Sequence, residues 1–409
     1  MAFQLHITPP RLRTPTRRDC LKKVVAFTGL AGPLMLGLLA RPTFAGGLNA
    51  STPAPLVSPA GKLRDLAAAR GKLFGTLMYH SYGGWNGNRG QISTDPVYRA
   101  AEADECNWYV ADGDCALQWV QPHFGSAYNY RRPDASNAYA MAHGMSWRAG
   151  PLVYDVGTFY LPAWWDKLSA ADAQRALLDF ITNTVGRYAG RVHCWQVVNE
   201  ILQLNSAGGV TSHGIANMRN GRVVQKLGAG FYDLAFRAAR AADPKAILFI
   251  NDNTLENNNR STSVPRRVAM LQLLDGFLAR GVPVDAVGLQ AHLGLVNSNT
   301  NDATLKAFVD AIAARGLKVM VTEMDVNDAS APTDFPSRDA RVAEAYARFS
   351  NVMAPHPAVI GISTWGMNDR ESWLSSFIHR ADGLPLRPLP LDSNYAKKPA
   401  YAAIANAFS

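Results

Sequence analysis

Eight short runs rich in apolar and β-branched residues recur along this chain, at 73–79, 108–114, 147–154, 192–200, 246–252, 286–293, 319–326 and 359–368. Longer amphipathic stretches separate several of them, at 171–188, 228–242, 264–280, 303–315 and 340–353. Apolar residues return there every three or four positions, as Leu177, Leu178, Phe180, Ile181 and Val185 do in the first and Phe308, Val309 and Ile312 in the fourth. Strands joined through helices imply a parallel sheet, because a parallel connection needs a crossover segment. The runs are continuously apolar instead of alternating, as strands buried on both faces are. Eight such units over about 345 residues predict an α/β fold, the (β/α)8 TIM barrel. The competing open, doubly wound sheet would more often carry a glycine fingerprint after its first strand, and none is present. No short repeat marks a solenoid.

A barrel puts chemistry at the C-terminal ends of its strands. Run four ends in Asn199-Glu200, run six holds Gln290 and His292, run seven holds Glu323 and Asp325, and run eight leads into Trp365. One carboxylate trailing a strand caps the next helix as readily as it does chemistry. Two glutamates, a histidine, two amides and a tryptophan on one rim ask for more. Glycoside hydrolysis needs two carboxyl groups flanking a bound sugar, one to protonate the leaving oxygen and one to attack the anomeric carbon. Strands four and seven lie across the barrel from one another, so Glu200 and Glu323 meet that demand. His292 is placed to hydrogen-bond Glu323, Asn199 to donate to a sugar hydroxyl, and Trp365 to offer a flat face to a pyranose. Histidine and carboxylate spacings typical of metal sites are missing, and so is the GxSxG of serine hydrolases. Asp252 reads as a turn residue, and neither metal nor cofactor is expected.

These residues resemble glycoside hydrolase family 10, the retaining endo-β-1,4-xylanase family, from about residue 70 to the end. Trp195-Gln196-Val197-Val198-Asn199-Glu200 is similar to W-D-V-V-N-E, which implies Glu200 as acid/base. Val321-Thr322-Glu323-Met324-Asp325 is similar to T-E-x-D and implies Glu323 as nucleophile. Gly288-Leu289-Gln290-Ala291-His292 resembles G-x-Q-x-H, and Ile362-Ser363-Thr364-Trp365-Gly366 followed by Trp373 resembles the substrate-stacking segment. Lys398-Pro399-Ala400-Tyr401 resembles the start of the family's last helix. Gln290, His292, Trp365, Trp373 and Asn199 are thereby implied to bind substrate, a β-linked polysaccharide or oligosaccharide.

The first half departs from that pattern. Asp114-Cys115-Ala116-Leu117-Gln118-Trp119 stands where the family has E-N-x-M-K-W, and Arg148-Ala149-Gly150-Pro151-Leu152-Val153-Tyr154-Asp155 where it has R-G-H-x-L-x-W-H. Cys115, Gln118 and Gly150 replace an amide, a lysine and a histidine that grip sugars. A site built for hydroxyls discriminates strongly once a donor is removed. The expectation is retained β-glycoside cleavage on xylan or a bacterial exopolysaccharide, with Gly150 opening space for a branched sugar. Residues 79–82 and 160–165 are candidates to line that pocket. A sugar-binding protein without catalysis is the alternative.

Charge argues about partners. The chain carries 41 Lys and Arg against 32 Asp and Glu, a net charge of +9 that could suit nucleic acid. Seven of those bases and one of those acids fall in residues 1–45, so this segment holds +6 and the remainder +3. Its basic start, the apolar stretch 24–40 and the small residues Thr43-Phe44-Ala45 have the anatomy of an export signal. Thr16-Arg17-Arg18-Asp19-Cys20-Leu21-Lys22-Lys23 resembles a twin-arginine motif. Residues 46–62 read as a linker and 63–409 as the catalytic domain. A periplasmic or secreted monomer is expected, with no nucleic-acid partner and no lasting membrane span. An oxidising compartment permits a disulfide, and Cys106 and Cys115 are the nearest pair; buried free thiols are the alternative.

Overall fold

The computed structural model describes residues 59–78, 93–155, 160–203, 218–257, 263–296 and 302–409. The export signal at 1–45, most of the 46–62 linker and the candidate pocket residues 79–82 lie outside them.

Eight strands form the frame: β1 (Leu73–Leu77), β2 (Trp108–Val110), β3 (Ser146–Ala149), β4 (Cys194–Asn199), β5 (Ile247–Asp252), β6 (Ala286–Leu289), β7 (Lys318–Asn327) and β8 (Val359–Thr364). Each pairs in parallel with the next, and β8 returns to β1 through Leu73 opposite Gly361, so the sheet closes. Closure leaves no edge strand to protect. Two short extensions raise the rim at the C-terminal end. Val153–Tyr154 pairs with Val198 and Asn199 of β4, and His292–Gly294 pairs with Asp325–Asn327 of β7.

The amphipathic stretches fold as helices at Ala170–Arg187, Phe231–Ala242, Ser263–Ala279, Asp302–Ala313 and Phe335–Met353. Leu177, Phe180, Ile181 and Val185 are buried on the first of these, as their spacing requires. The last helix, Pro399–Phe408, starts on its proline, where a missing N–H costs nothing. Inside the barrel a separate cluster joins Trp108, Cys194, Phe249, Ala286 and Met320 from five different strands, so the interior is packed and chemistry belongs at its mouth.

Cys106, Cys115 and Cys194 are free and buried. Cys106 precedes β2 and Cys115 follows it, and neither is bonded to the other. The free-thiol alternative holds.

Candidate active site

Glu200 is the first residue past β4, and its backbone is left-handed, with φ of +52°. A side chain pays about 1–3 kcal/mol for such a conformation, so surrounding contacts must impose it. They do: Glu200 N–H donates to the Asn251 carbonyl at 2.8 Å, while buried Asp252 accepts from Leu202 N–H at 3.0 Å. Asp252 is itself fixed by Arg266 at 2.7 Å. The expected turn residue is therefore a buried anchor for the segment that carries Glu200.

The Glu200 carboxylate receives two donors. Gln290 Nε2 reaches Oε1 at 3.2 Å, and Arg219 Nη2 reaches Oε2 at 2.9 Å. Arg219 also donates from Nε to the Glu200 carbonyl at 2.8 Å. It is held there by the residues just past β4, where Leu202 bridges Met218 and Arg219 N–H donates to the Ile201 carbonyl. Asp155 holds the next stretch, accepting from Arg222 N–H and Val223 N–H, both at 2.8 Å. Tyr154 is partly buried beside Glu200; burial pushes its hydroxyl well up, and the Glu200 charge pushes it further.

Glu323 sits within β7, beyond the point where β6 ends, and is buried. Asn251 Nδ2 donates to its Oε1 at 2.6 Å and to Asn199 Oδ1 at 3.0 Å. His292 Nε2 lies 3.5 Å from its other oxygen, while His292 Nδ1 is 3.0 Å from Asp325. Trp373 Nε1 completes the chain, donating to Asp325 Oδ2 at 2.6 Å. Burial alone would pull the imidazole down, but Asp325 and Glu323 more than offset it, so His292 is held charged. Burial pushes the Glu323 carboxyl above the usual range, and His292 and Arg148 pull it only part of the way back. Arg148 reaches through the barrel from β3 to donate to the Thr322 carbonyl at 2.8 Å.

All seven expected site residues therefore gather around one mouth. Asn199 accepts through Oδ1 from Asn251 and, at 3.4 Å, from Gln290, which leaves its NH2 end to donate outward. Trp365 is only 9% exposed, packed with Leu77 and Val110, so less of its face is open than a stacking role asks; half-buried Trp373 packs beside it. Gly150 corrects an expectation. Its φ is +115°, and a Cβ there would stand 2.6 Å from the Gln196 carbonyl, so the position is shut by β4 backbone and opens no room for a branch. Cys115 and Asp114 are fully buried, whereas Gln118 is partly exposed. Within 160–165, Trp165 is core, with its indole N–H bonded to the Ala173 carbonyl; Trp164 is partly exposed.

Asn251, Arg219, Arg148 and Tyr154 join the site without having been singled out. Asn251 ends β5 beside Asp252, and the strand-end rule that found the glutamates also covers it. Arg219 lies outside any strand.

Endo-1,4-beta-xylanase A of Cellvibrio japonicus is 29% identical over 345 residues, which cover 79% of this chain. The chain spans 54% of that relative's length, and about a quarter of two further curated relatives. Among solved structures, native xylanase 10B from Thermotoga maritima superposes with a TM-score of 0.71 at 26% identity, covering 85% of this chain and 98% of that one. A xylanase 10C variant from Cellvibrio japonicus in complex with xylopentaose gives 0.73 at 26% identity, covering 86% and 70%. The sequence profile of "Glycosyl hydrolase family 10" matches residues 62–407, and the chain belongs to that family.

Proposed function

We propose that this protein is a retaining glycoside hydrolase that cleaves β-1,4-linked polysaccharide of the xylan type. The observation that carries the reading is the pair of carboxyls on one barrel mouth with unlike surroundings. Glu323 is gripped by Asn251 and faces a charged His292, which favours the ionised nucleophile. Glu200 stands past β4 with Gln290 on one oxygen, Arg219 on the other and the Tyr154 hydroxyl beside it.

In the first step Glu323 attacks the anomeric carbon while Glu200 gives its proton to the leaving oxygen, forming a glycosyl ester on Glu323. In the second, Glu200 takes a proton from water, which displaces Glu323 and returns the β configuration. The Asn199 amide is positioned to donate to a hydroxyl next to the reacting carbon. Gln290 and His292 order the two carboxylates, and Trp373 borders the sugar path. The xylopentaose held by the similar Cellvibrio japonicus structure supports a xylo-oligosaccharide as ligand.

The test is hydrolysis of soluble xylan followed by proton NMR of the first anomer released. A β product that mutarotates, with turnover lost by at least about 10³-fold in Glu323→Gln, is the expected outcome. An inverted first product, or an undiminished Glu323→Gln enzyme, would sink the reading. The charge and apolar pattern of residues 1–45 supports export by the twin-arginine route to the periplasm or beyond. Replacing Arg17 and Arg18 with lysine should then leave the protein in the cytoplasm on fractionation; unchanged export would refute that route.

A further inference from the structure

We infer that the cleft between the loops following β2 and β3 is a remote subsite for the same polysaccharide, with Phe124 and Trp164 as its sugar-contacting rings. The inference rests on the glycan-cleaving reading above. The cleft measures about 420 Å³ and is lined by Gln118, Pro122, His123, Phe124, Pro162 and Trp164. Small-molecule sites typically span about 300–1,000 Å³.

Three observations converge on a carbohydrate. First, Phe124 is 59% exposed although it packs on Trp164, with ring centroids 5.2 Å apart and planes tilted by 44°. A phenyl ring that served only to seal two loops would be covered. Second, the Trp164 indole N–H is already bonded to the Gln121 carbonyl at 3.1 Å, which fixes the ring and spends its polar edge on the protein. What the ring has left to offer is its apolar face, the part that stacks on a pyranose. Third, the Gln118 amide and the His123 imidazole border those rings, and sugars need apolar faces and hydroxyl partners together.

The cleft is built from loops at the same C-terminal end of the barrel as the catalytic mouth, and packed residues tie the two together. Gln118 N–H donates to the Tyr160 carbonyl at 3.1 Å, the Tyr160 ring lies 4.6 Å from that of Tyr154, and Tyr154 adjoins Glu200. Tyr160 is further tied by its hydroxyl to Asp112 on the β2 loop. The packed series Glu200, Tyr154, Tyr160 and Gln118 therefore sets the cleft of Trp164 beside the mouth. One glycan long enough to bridge this path would occupy both places, and its second contact would act at high effective concentration.

The test compares wild type, Trp164→Ala and the milder Phe124→Ala on an aryl xylobioside, on xylohexaose and on soluble xylan. Either substitution should lower kcat/KM on xylan by about 5–10-fold, the worth of one lost stacking contact, and leave the aryl xylobioside within about twofold. Equal losses on every substrate would mark a structural role and overturn the subsite, as would no loss on any. Retardation in native gels containing xylan keeps the two hypotheses apart. If wild type binds xylan without cleaving it and both variants bind less, the subsite stands and the catalytic reading fails. If wild type is not retarded and cleaves long and short substrates alike, the subsite fails and the catalytic reading stands.

Discussion

Arg219 Nη2 stands 2.9 Å from Glu200 Oε2, and Arg219 Nε donates to the Glu200 carbonyl at 2.8 Å. One guanidinium thus grips both the carboxylate and the strained backbone of the proposed acid/base. An acid/base must present a chosen oxygen to the leaving group, and a displacement of about 1 Å costs on the order of 100-fold. Arg219 and Gln290 hold one oxygen each, so the carboxylate plane is set before substrate arrives. We predict that Arg219→Met lowers kcat/KM on xylan by about 10–100-fold with unchanged circular dichroism. Aryl glycosides with acidic leaving groups need no protonation and should lose much less. Arg219→Lys should recover only part, because an ammonium cannot span both acceptors in the fork geometry. An equal loss on both substrate classes would assign Arg219 to folding instead.

His292 makes a pH prediction. Glu323 acts as a nucleophile only when ionised, and burial already sets its carboxyl above the usual range. The charged imidazole at 3.5 Å pulls it down, so losing that charge leaves the carboxyl higher still. Activity falls as pH drops through the Glu323 value, so the acid limb of kcat/KM should move to higher pH in His292→Gln. The groups facing Glu323 that remain are Arg148, Asp112 and the neutral Asn251, and none replaces the lost cation at the same oxygen. A limb that stays in place in a pH series on an aryl xylobioside would show that His292 acts on the sugar alone.

The catalytic half of this site was legible because barrels export chemistry to strand ends. Glu200, Gln290 and His292 sit just past such an end and Glu323 beyond the point where β6 stops, so the strand runs pointed to them and the motifs gave them roles. Arg219 was not legible: it lies 19 residues beyond Glu200, outside any strand or helix and in a stretch of sequence with no periodic signal. Gly150 misled for a different reason. A missing side chain reads as free space, but the space belongs to the Gln196 carbonyl of the neighbouring strand, and only the closed sheet shows this. The helix Arg131–Ala142 also escaped the periodicity reading. It buries only Pro133, Ser136, Tyr139 and Ala140, which make no apolar stripe.

Glu102 governs a stability prediction away from the site. It lies on the helix Pro96–Glu105 with its carboxyl enclosed against the barrel wall, and burial pushes it up to about 8, with Tyr139 offsetting only part of the rise. In the unfolded chain it titrates near 4.5. Between those values the folded protein binds a proton that the unfolded chain does not, so stability declines as pH rises across that window. Glu102→Gln mimics the protonated form and should flatten this slope. The variant should melt about 2–5 °C above wild type at pH 8 and close to it at pH 5. A difference between the proteins that does not grow with pH in calorimetric scans would refute the assignment.

Asp155 provides a test of how the Arg219 arm is held. Its two oxygens accept from Arg222 N–H and Val223 N–H at 2.8 Å each, three residues beyond Arg219. Removing them leaves two backbone donors without their partners, at about 1–3 kcal/mol, and frees the arm. Asp155→Ala should therefore lower kcat/KM on xylan about as much as Arg219→Met does. Gly221 allows the same perturbation without touching a charge, because a Cβ there would stand 2.1 Å from Asp155 Oδ2 and must displace it. The decisive measurement is a double-mutant cycle. If Asp155 works by placing Arg219, Asp155→Ala and Gly221→Ala should cost almost nothing further once Arg219 is Met, since neighbours that act as one unit are not additive. Losses that multiply in full would mean Asp155 supports the rim independently, and Arg219 would then be held by its contacts with Glu200 and Ile201 alone.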